Sequence, residues 1–459
     1  MSDTKTISER VTVVMRWLFL GAIALAVLPN GSIDQFNYFL NGLTFGLLFI
    51  IVAFLPVRKP RTRSTLLAVM LVCVIFSAYI ILQAWPLVDH PFANPAWQDV
   101  ISEGITDRGA ISVAPGETFA SIPSLVIPLV VFAIGLTLHQ DDHAAREFWV
   151  RLTLFAGALT VIALVRHELF REAELFGTPS RGDQILTGNF FNRNTSASFF
   201  VLSCFAGVGL CLMQVKNMRW ETVKRRFSSF NYFDERKYIL FASGLFLTFA
   251  SLVALFLTQS RGGVGFGLLA LVISGTVILL TDRSAKIGRS FKLGFLAGLG
   301  ALSVLAFVIL GGRTIMRVDD GGVDENRVCV AESTLAGIAD FPLLGTGFGT
   351  FREVFPIYRK LECGIDGVWV YAHNSWLEGY FGMGLPFAFL VLVCLFWLGR
   401  ELLYGYRARR RFRFVPILIF GIVGYMSLHS TLDFPIQIPG IAILFAALLS
   451  AGVAISTSR

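Results

Sequence analysis

The sequence predicts an all-α polytopic integral membrane protein of about twelve transmembrane helices, with a large folded outer loop between the ninth and tenth. Three observations carry this. Of the 459 residues 55% are hydrophobic and only 15% charged, whereas a soluble globular chain keeps about a quarter of its residues charged, and mean hydropathy is +0.68. Apolar runs of the roughly 20 residues that a bilayer-spanning helix needs recur from one end of the chain to the other. The runs are continuous rather than alternating, which excludes an outer-membrane barrel. The same composition excludes a disordered chain and a soluble enzyme on a single anchor.

In chain order the predicted spans are Val11 to Leu28, Tyr38 to Leu55, Thr65 to Trp85, Pro123 to His139, Val150 to Val165, Thr195 to Met213, Tyr238 to Thr258, Val264 to Leu280, Leu293 to Leu310, Ser375 to Leu398, Val415 to His429 and Ile436 to Ile455. The first run passes into Pro29 and Asn30 without a cleavage context, so it reads as a span rather than a removed signal. With the N-terminus inside, 27 of the 39 Lys and Arg residues fall on cytoplasmic segments and 12 on the other side. This is the asymmetry of the positive-inside rule. Both termini are then cytoplasmic, and the net charge of +8 orients the chain and implies no nucleic-acid partner. Asp141, Asp142 and His143 form the one inner loop of mixed charge.

Two units are expected: N-terminal spans over residues 1–149, with an outer segment at 86–122, and a larger unit over 150–459. The second unit carries outer segments at 166–194 and 311–374, too long for simple turns. The latter reads as a folded lid. Glu325 to Ile338 has the mixed pattern of a helix on the membrane face, Phe351 to Tyr358 that of a second short helix, and a turn-rich break runs from Asp340 to Gly349. Cys73, Cys204, Cys211 and Cys394 fall within spans as small apolar fillers. Cys329 and Cys363 lie in the lid, in a compartment where disulfides persist, and are expected to pair. The acidic run Asp319 to Glu325 lacks the spacing of an EF-hand loop. No Walker-type loop occurs, against an ATP-driven pump, and no metal or cofactor is indicated.

The candidate chemistry lies at the outer ends of spans. Asn192-Arg193-Asn194-Thr195 leads into the sixth span. A cation at a helix N-terminus faces the positive end of the dipole, a poor placement that an anion would reverse, because helix N–H groups and a guanidinium together bind phosphate. The plain alternative is snorkelling by Arg193 with Asn194 or Thr195 as helix cap. Ser260-Arg261-Gly262-Gly263 forms the turn between the seventh and eighth spans, where glycine N–H groups can converge on an anion beside Arg261; a plain hairpin with a solvated arginine is its alternative. His373-Asn374 opens the tenth span beside the lid, where a neutral imidazole can take a proton. A buried hydrogen-bonding role is its alternative. Ser375 and Glu378 have capping-box spacing, a structural role for Glu378. Asp433, in the short turn after His429, is expected to be relieved by water and to do no more than shape the site.

Taken in order, Asn192-Arg193-Asn194, Ser260-Arg261-Gly262-Gly263, Pro342-Leu-Leu-Gly-Thr-Gly-Phe-Gly349, His373-Asn374 and the downstream Gly-Met-Gly resemble the O-antigen ligase and O-antigen polymerase superfamily from about residue 150 onward. Each motif is short. Their order, with a large outer loop between the arginine and histidine motifs, is the specific part. The resemblance implies an inverting, metal-independent glycosyltransferase of the bacterial inner membrane. Such an enzyme takes a glycan from a polyprenyl-diphosphate carrier at the periplasmic face and passes it to a lipid A core sugar, another lipid-linked repeat or a protein hydroxyl. Arg193 and Arg261 would hold the diphosphate and His373 would activate the acceptor hydroxyl, with Asn192, Asn194, Ser260, Asn374 and Glu378 in support. The implied partners are the lipid-linked glycan donor, the glycan or lipid A core acceptor and membrane lipid. A transporter or flippase of lipid-linked sugars is the competing class. It should show interrupted spans with midplane polar groups, of which the sequence has few.

Overall fold

The protein is described from a computed structural model, over residues 2–178, 185–215, 218, 236–281, 322–360 and 367–458. The predicted ninth span, Cys363 and Asp319 to Gly321 of the acidic run lie outside the described residues. The helices are α1 (Ser2–Val27), α2 (Gln35–Ala53), α3 (Pro60–Ala84), α4 (Ala96–Ser102), α5 (Pro115–Leu138), α6 (Asp142–Leu169), α7 (Arg193–Val215), α8 (Arg236–Leu257), α9 (Arg261–Thr281), α10 (Gly322–Asp340), α11 (Phe351–Tyr358), α12 (Ser375–Met383), α13 (Leu385–Ala408), α14 (Phe414–His429) and α15 (Pro439–Thr457). Among the described residues the only sheet is the two-residue pair β1 (Leu87–Val88) and β2 (Arg108–Gly109), antiparallel. Ten helices among the described residues are long and apolar enough to cross a membrane, and α14 is a shorter apolar helix.

Helices α7 and α15 form the centre. Each has 83% of its apolar window buried, against 17% for α13, so hydrophobicity all round marks a helix surrounded by helices. Close approach depends on small residues, as expected where lipid offers apolar side chains no competing hydrophobic force. A Cβ on Gly207 of α7 would stand 2.5 Å from Thr248 Oγ1 of α8, and one on Gly135 of α5 2.0 Å from Ser450 Oγ of α15. At the end opposite the lid, Arg16 of α1 donates to Leu138 O at 2.9 Å, and Arg409 pairs with Asp142 and with Ser458 O. The two chain termini therefore share one end of the bundle.

Three sequence expectations are corrected. The mixed-charge segment at Asp141 to His143 is the start of α6 rather than a loop, because the Asp141 side chain caps the helix by accepting from Ala144 N–H at 2.7 Å. Helix α5 begins at Pro115, eight residues before its expected start. The single span expected over Ser375 to Leu398 is broken into α12 and α13 at Gly384, where φ is +64° and a Cβ would lie 2.5 Å from Leu343 O.

The expected lid helices are present as α10 and α11 and share a small core of Val330, Phe351, Val354, Phe355, Ala372 and Phe381. Cys329 on α10 is disulfide-bonded, and the four cysteines expected as fillers are free. The glycine-rich turn after α10 anchors the lid. Tyr79 and Gln83 of α3 donate to Leu344 O at 2.8 and 2.7 Å, and the Gln83 carbonyl oxygen accepts from Phe348 N–H at 3.2 Å. Gly345, Thr346 and Gly347 N–H groups go to the carbonyls of Phe341, Phe381 and Gly382. With four successive amides engaged, this turn is a structural clasp rather than an anion cradle.

Candidate active site

The arginine motifs meet first. Helix α7 begins at Arg193 with Asn192 as its cap, the Asn192 side chain accepting from Asn194 N–H at 2.8 Å. The cap expected at Asn194 or Thr195 is thus displaced toward the N-terminus, which releases the Asn194 side chain. Its Oδ1 accepts from Ser260 Oγ at 2.7 Å in a buried contact. Ser260 in turn caps α9, accepting from Gly263 N–H at 3.2 Å. Arg193, half-buried, and Arg261, exposed, are the chain neighbours of this buried pair and lie at one lip of the bundle.

The second junction brings in α14. Gly262 packs on His429, where a Cβ would stand 3.4 Å from the ring. The buried His429 Nδ1 lies 2.9 Å from Ser198 Oγ and 3.0 Å from Tyr425 OH. One turn later Asp433 N–H donates to His429 O at 3.0 Å, and Arg327 of α10 donates to Leu432 O at 3.2 Å.

The third junction holds His373. Its Nδ1 is 3.2 Å from Asp433 Oδ1, with the His373 side chain 25% exposed and that of Asp433 2%. Asp433 is therefore buried rather than relieved by water as its place in a turn suggested, because α12 and the turn after α14 close over it. Burial raises its proton affinity, but the hydrogen bond and charge of His373, with His429 and Arg327, outweigh that and hold the carboxyl below its ordinary value. A carboxylate only accepts, so in the neutral ring it is Nδ1 of His373 that carries the proton and Nε2 that has the lone pair. His373 sits at φ +51°, a region costing a non-glycine residue about 1 kcal/mol or more. Both flanks hold it there: Ala372 N–H donates to Glu378 Oε2 at 2.7 Å and Ser375 N–H to Ser430 O at 2.9 Å.

The expected Ser375–Glu378 capping box is shifted. Asn374 caps α12, accepting from the N–H groups of Trp376 and Leu377. The Ser375 hydroxyl instead lies 3.3 Å from Asp433 O and 3.4 Å from Gln437 Oε1. Glu378 holds Ala372 and accepts from Gln437 Nε2 at 2.6 Å; burial pushes its carboxyl up to about 7 in spite of both bonds.

A continuous series of contacts thus runs from Asn194 and Gly262, the chain neighbours of Arg193 and Arg261, through His429 and Asp433 to His373 at the lid end of the bundle. Sequence reasoning undervalued Asp433 and missed Arg327, His429 as a link and Tyr425. The available signal for Asp433 was an acidic residue confined between two apolar helices. Residues 246–393 match the family described as O-Antigen ligase. The match spans about a third of the chain and supports a likeness to the O-antigen ligase and polymerase superfamily. The matched segment includes Arg261, the lid, His373 and Glu378; Arg193 and Asp433 flank it. No curated protein matches the chain.

Proposed function

We propose that the protein transfers a glycan from a polyprenyl-diphosphate carrier to an acceptor hydroxyl, at a site on the periplasmic face of the bacterial inner membrane. The single observation that carries this reading is the Asp433–His373 pair, reached through one line of contacts from the residues next to both arginines. In the reaction, the bond between the sugar's anomeric carbon and the diphosphate oxygen breaks, and its electron pair leaves with the diphosphate. The acceptor oxygen forms the new bond at the opposite face of that carbon, inverting it. The acceptor proton passes to His373 Nε2, and the Asp433 carboxylate stabilises the imidazolium that results.

Arg193 and Arg261 would neutralise the charge that grows on the departing diphosphate, as pre-oriented cations near low-dielectric surroundings, so the step is metal-independent. Residues 150–459 supply this chemistry, and residues 1–149 support the lid through α3 and α5. About twelve spans, with the lid side outward and both termini inside, accord with the basic residues concentrated at the other end. A flippase would bind the same diphosphate but has no use for an oriented imidazole.

The test is purified protein with an undecaprenyl-diphosphate glycan and, separately, a lipid A core glycolipid or a second lipid-linked repeat. Product of one added glycan on the core identifies a ligase, and a ladder a polymerase. Undiminished turnover in both Arg193→Ala and His373→Asn would remove the mechanism.

A further inference from the structure

We infer that Trp369 is the platform on which the acceptor lies, and that the acceptor is therefore a pyranose with an apolar C–H face rather than a protein hydroxyl. This rests on the glycosyl-transfer reading above and names the acceptor class for it. Residues 368–372 run without helix into His373. Among them Val368 and Val370 are exposed, whereas Trp369 and Tyr371 are half-buried.

The His373 ring lies between two aromatic neighbours. Phe434 meets it edge-on at 4.9 Å between ring centroids, and Trp369 meets it at 5.5 Å and 76°. The two neighbours differ in what they have left to offer. Phe434 is buried, and Tyr371 stacks on its face at 4.3 Å. Trp369 packs against the lid core but stays partly exposed, beside the imidazole. With Nδ1 committed to Asp433, the working nitrogen of His373 is Nε2.

A pyranose has one face of C–H bonds and a rim of hydroxyls directed outward. Laid on an indole, it gains the dispersion and apolar contact that large aromatic surfaces supply. Its rim then extends sideways toward the imidazole. A serine or threonine side chain has no such face and would leave the indole uncovered.

The experiment uses the full chain in lipid nanodiscs, with lipid A core glycolipid, a second lipid-linked repeat and a serine-containing peptide supplied separately as acceptors. Trp369→Ala should raise KM for the sugar acceptor about tenfold while donor KM moves less than about twofold, and Trp369→Phe should raise acceptor KM about threefold. If Trp369→Ala does not fold, Trp369→Phe decides alone, and no rise in acceptor KM overturns the proposal. A readout independent of turnover is fluorotryptophan-labelled protein: the fluorine resonance lost in Trp369→Phe should shift on addition of free core oligosaccharide.

An unmoved resonance with unchanged acceptor KM overturns the proposal, as does an effect confined to donor KM or a peptide accepted in preference to sugar. A shifted resonance in protein that transfers to none of the three acceptors would instead sink the transfer reading and leave the sugar site standing. Normal transfer with a silent Trp369→Ala would do the reverse.

Discussion

Replacing Asp433 by Asn should separate catalysis from binding. The substitution keeps size and burial but removes the charge that faces His373 Nδ1 at 3.2 Å, behind a side chain only 2% exposed. An imidazolium and a carboxylate at that separation attract by about 5 kcal/mol at an effective dielectric constant of 20. A loss of that order in the transition state corresponds to roughly 10³-fold or more in rate, within the usual range of about 10²–10⁴ for positioned acid–base groups. The Asn amide can also donate to Nδ1 and so impose the wrong tautomer. The assay is kcat for transfer at saturating donor and acceptor, with donor affinity measured separately. We expect kcat to fall by about 10³ while donor affinity stays within about twofold. Because the carboxyl is held below its ordinary value in the folded protein, Asn should also cost some thermal stability. A folded Asp433→Asn protein with kcat within about threefold of the parent would refute the Asp–His pair as the proton acceptor.

Further outcomes follow from the same geometry. Arg193→Lys and Arg261→Lys keep the charge but lose the planar fork, so each should raise donor KM by about tenfold, with Ala worse than Lys; equal kinetics for Lys and Arg would argue against diphosphate contact. Gly345→Ala should destabilise by about 1–3 kcal/mol or more, since φ is +71° and a Cβ would meet Gly382 O at 2.4 Å. Gly399→Ala, with nothing within 4 Å, is the control, and thermal unfolding compares the two. Glu378, raised from 4.5 to about 7 by burial, favours the folded state when protonated. Stability from this group is full below its unfolded value and declines as pH rises through about 7. Glu378→Gln should therefore flatten the fall in melting temperature across that window, and an unchanged slope would remove the assignment.

Ten of the expected spans were legible because hydropathy acts over whole helices, and local errors average out. Their ends were not. The Asp141 cap and the early start of α5 depend on single hydrogen bonds and on helix continuing past the apolar run, neither of which changes mean hydropathy. The break at Gly384 was hidden in the hydropathy because Ser375 to Leu398 is mostly apolar; its local signals are Gly384 at the end of one helix and Pro386 in the first turn of the next. In the site, residue types and order pointed to Arg193, Arg261 and His373. The burial of Asp433 was illegible because α12 covers it from about sixty residues away, and a turn between two spans is ordinarily wet. Glu378 kept a structural role with a different partner, since Asn374 rather than Ser375 took the cap.

The left-handed backbone at His373 bears on how a substrate complex could be trapped. Ala at that position would add backbone strain to the lost imidazole, so a fall in activity would mix two causes. Asn adopts positive φ more readily than most residues and stays polar beside Asp433, which makes it the cleaner chemically silent replacement. A complex of the His373→Asn protein with donor and acceptor would report ground-state geometry with the segment leading into α12 still in its native path.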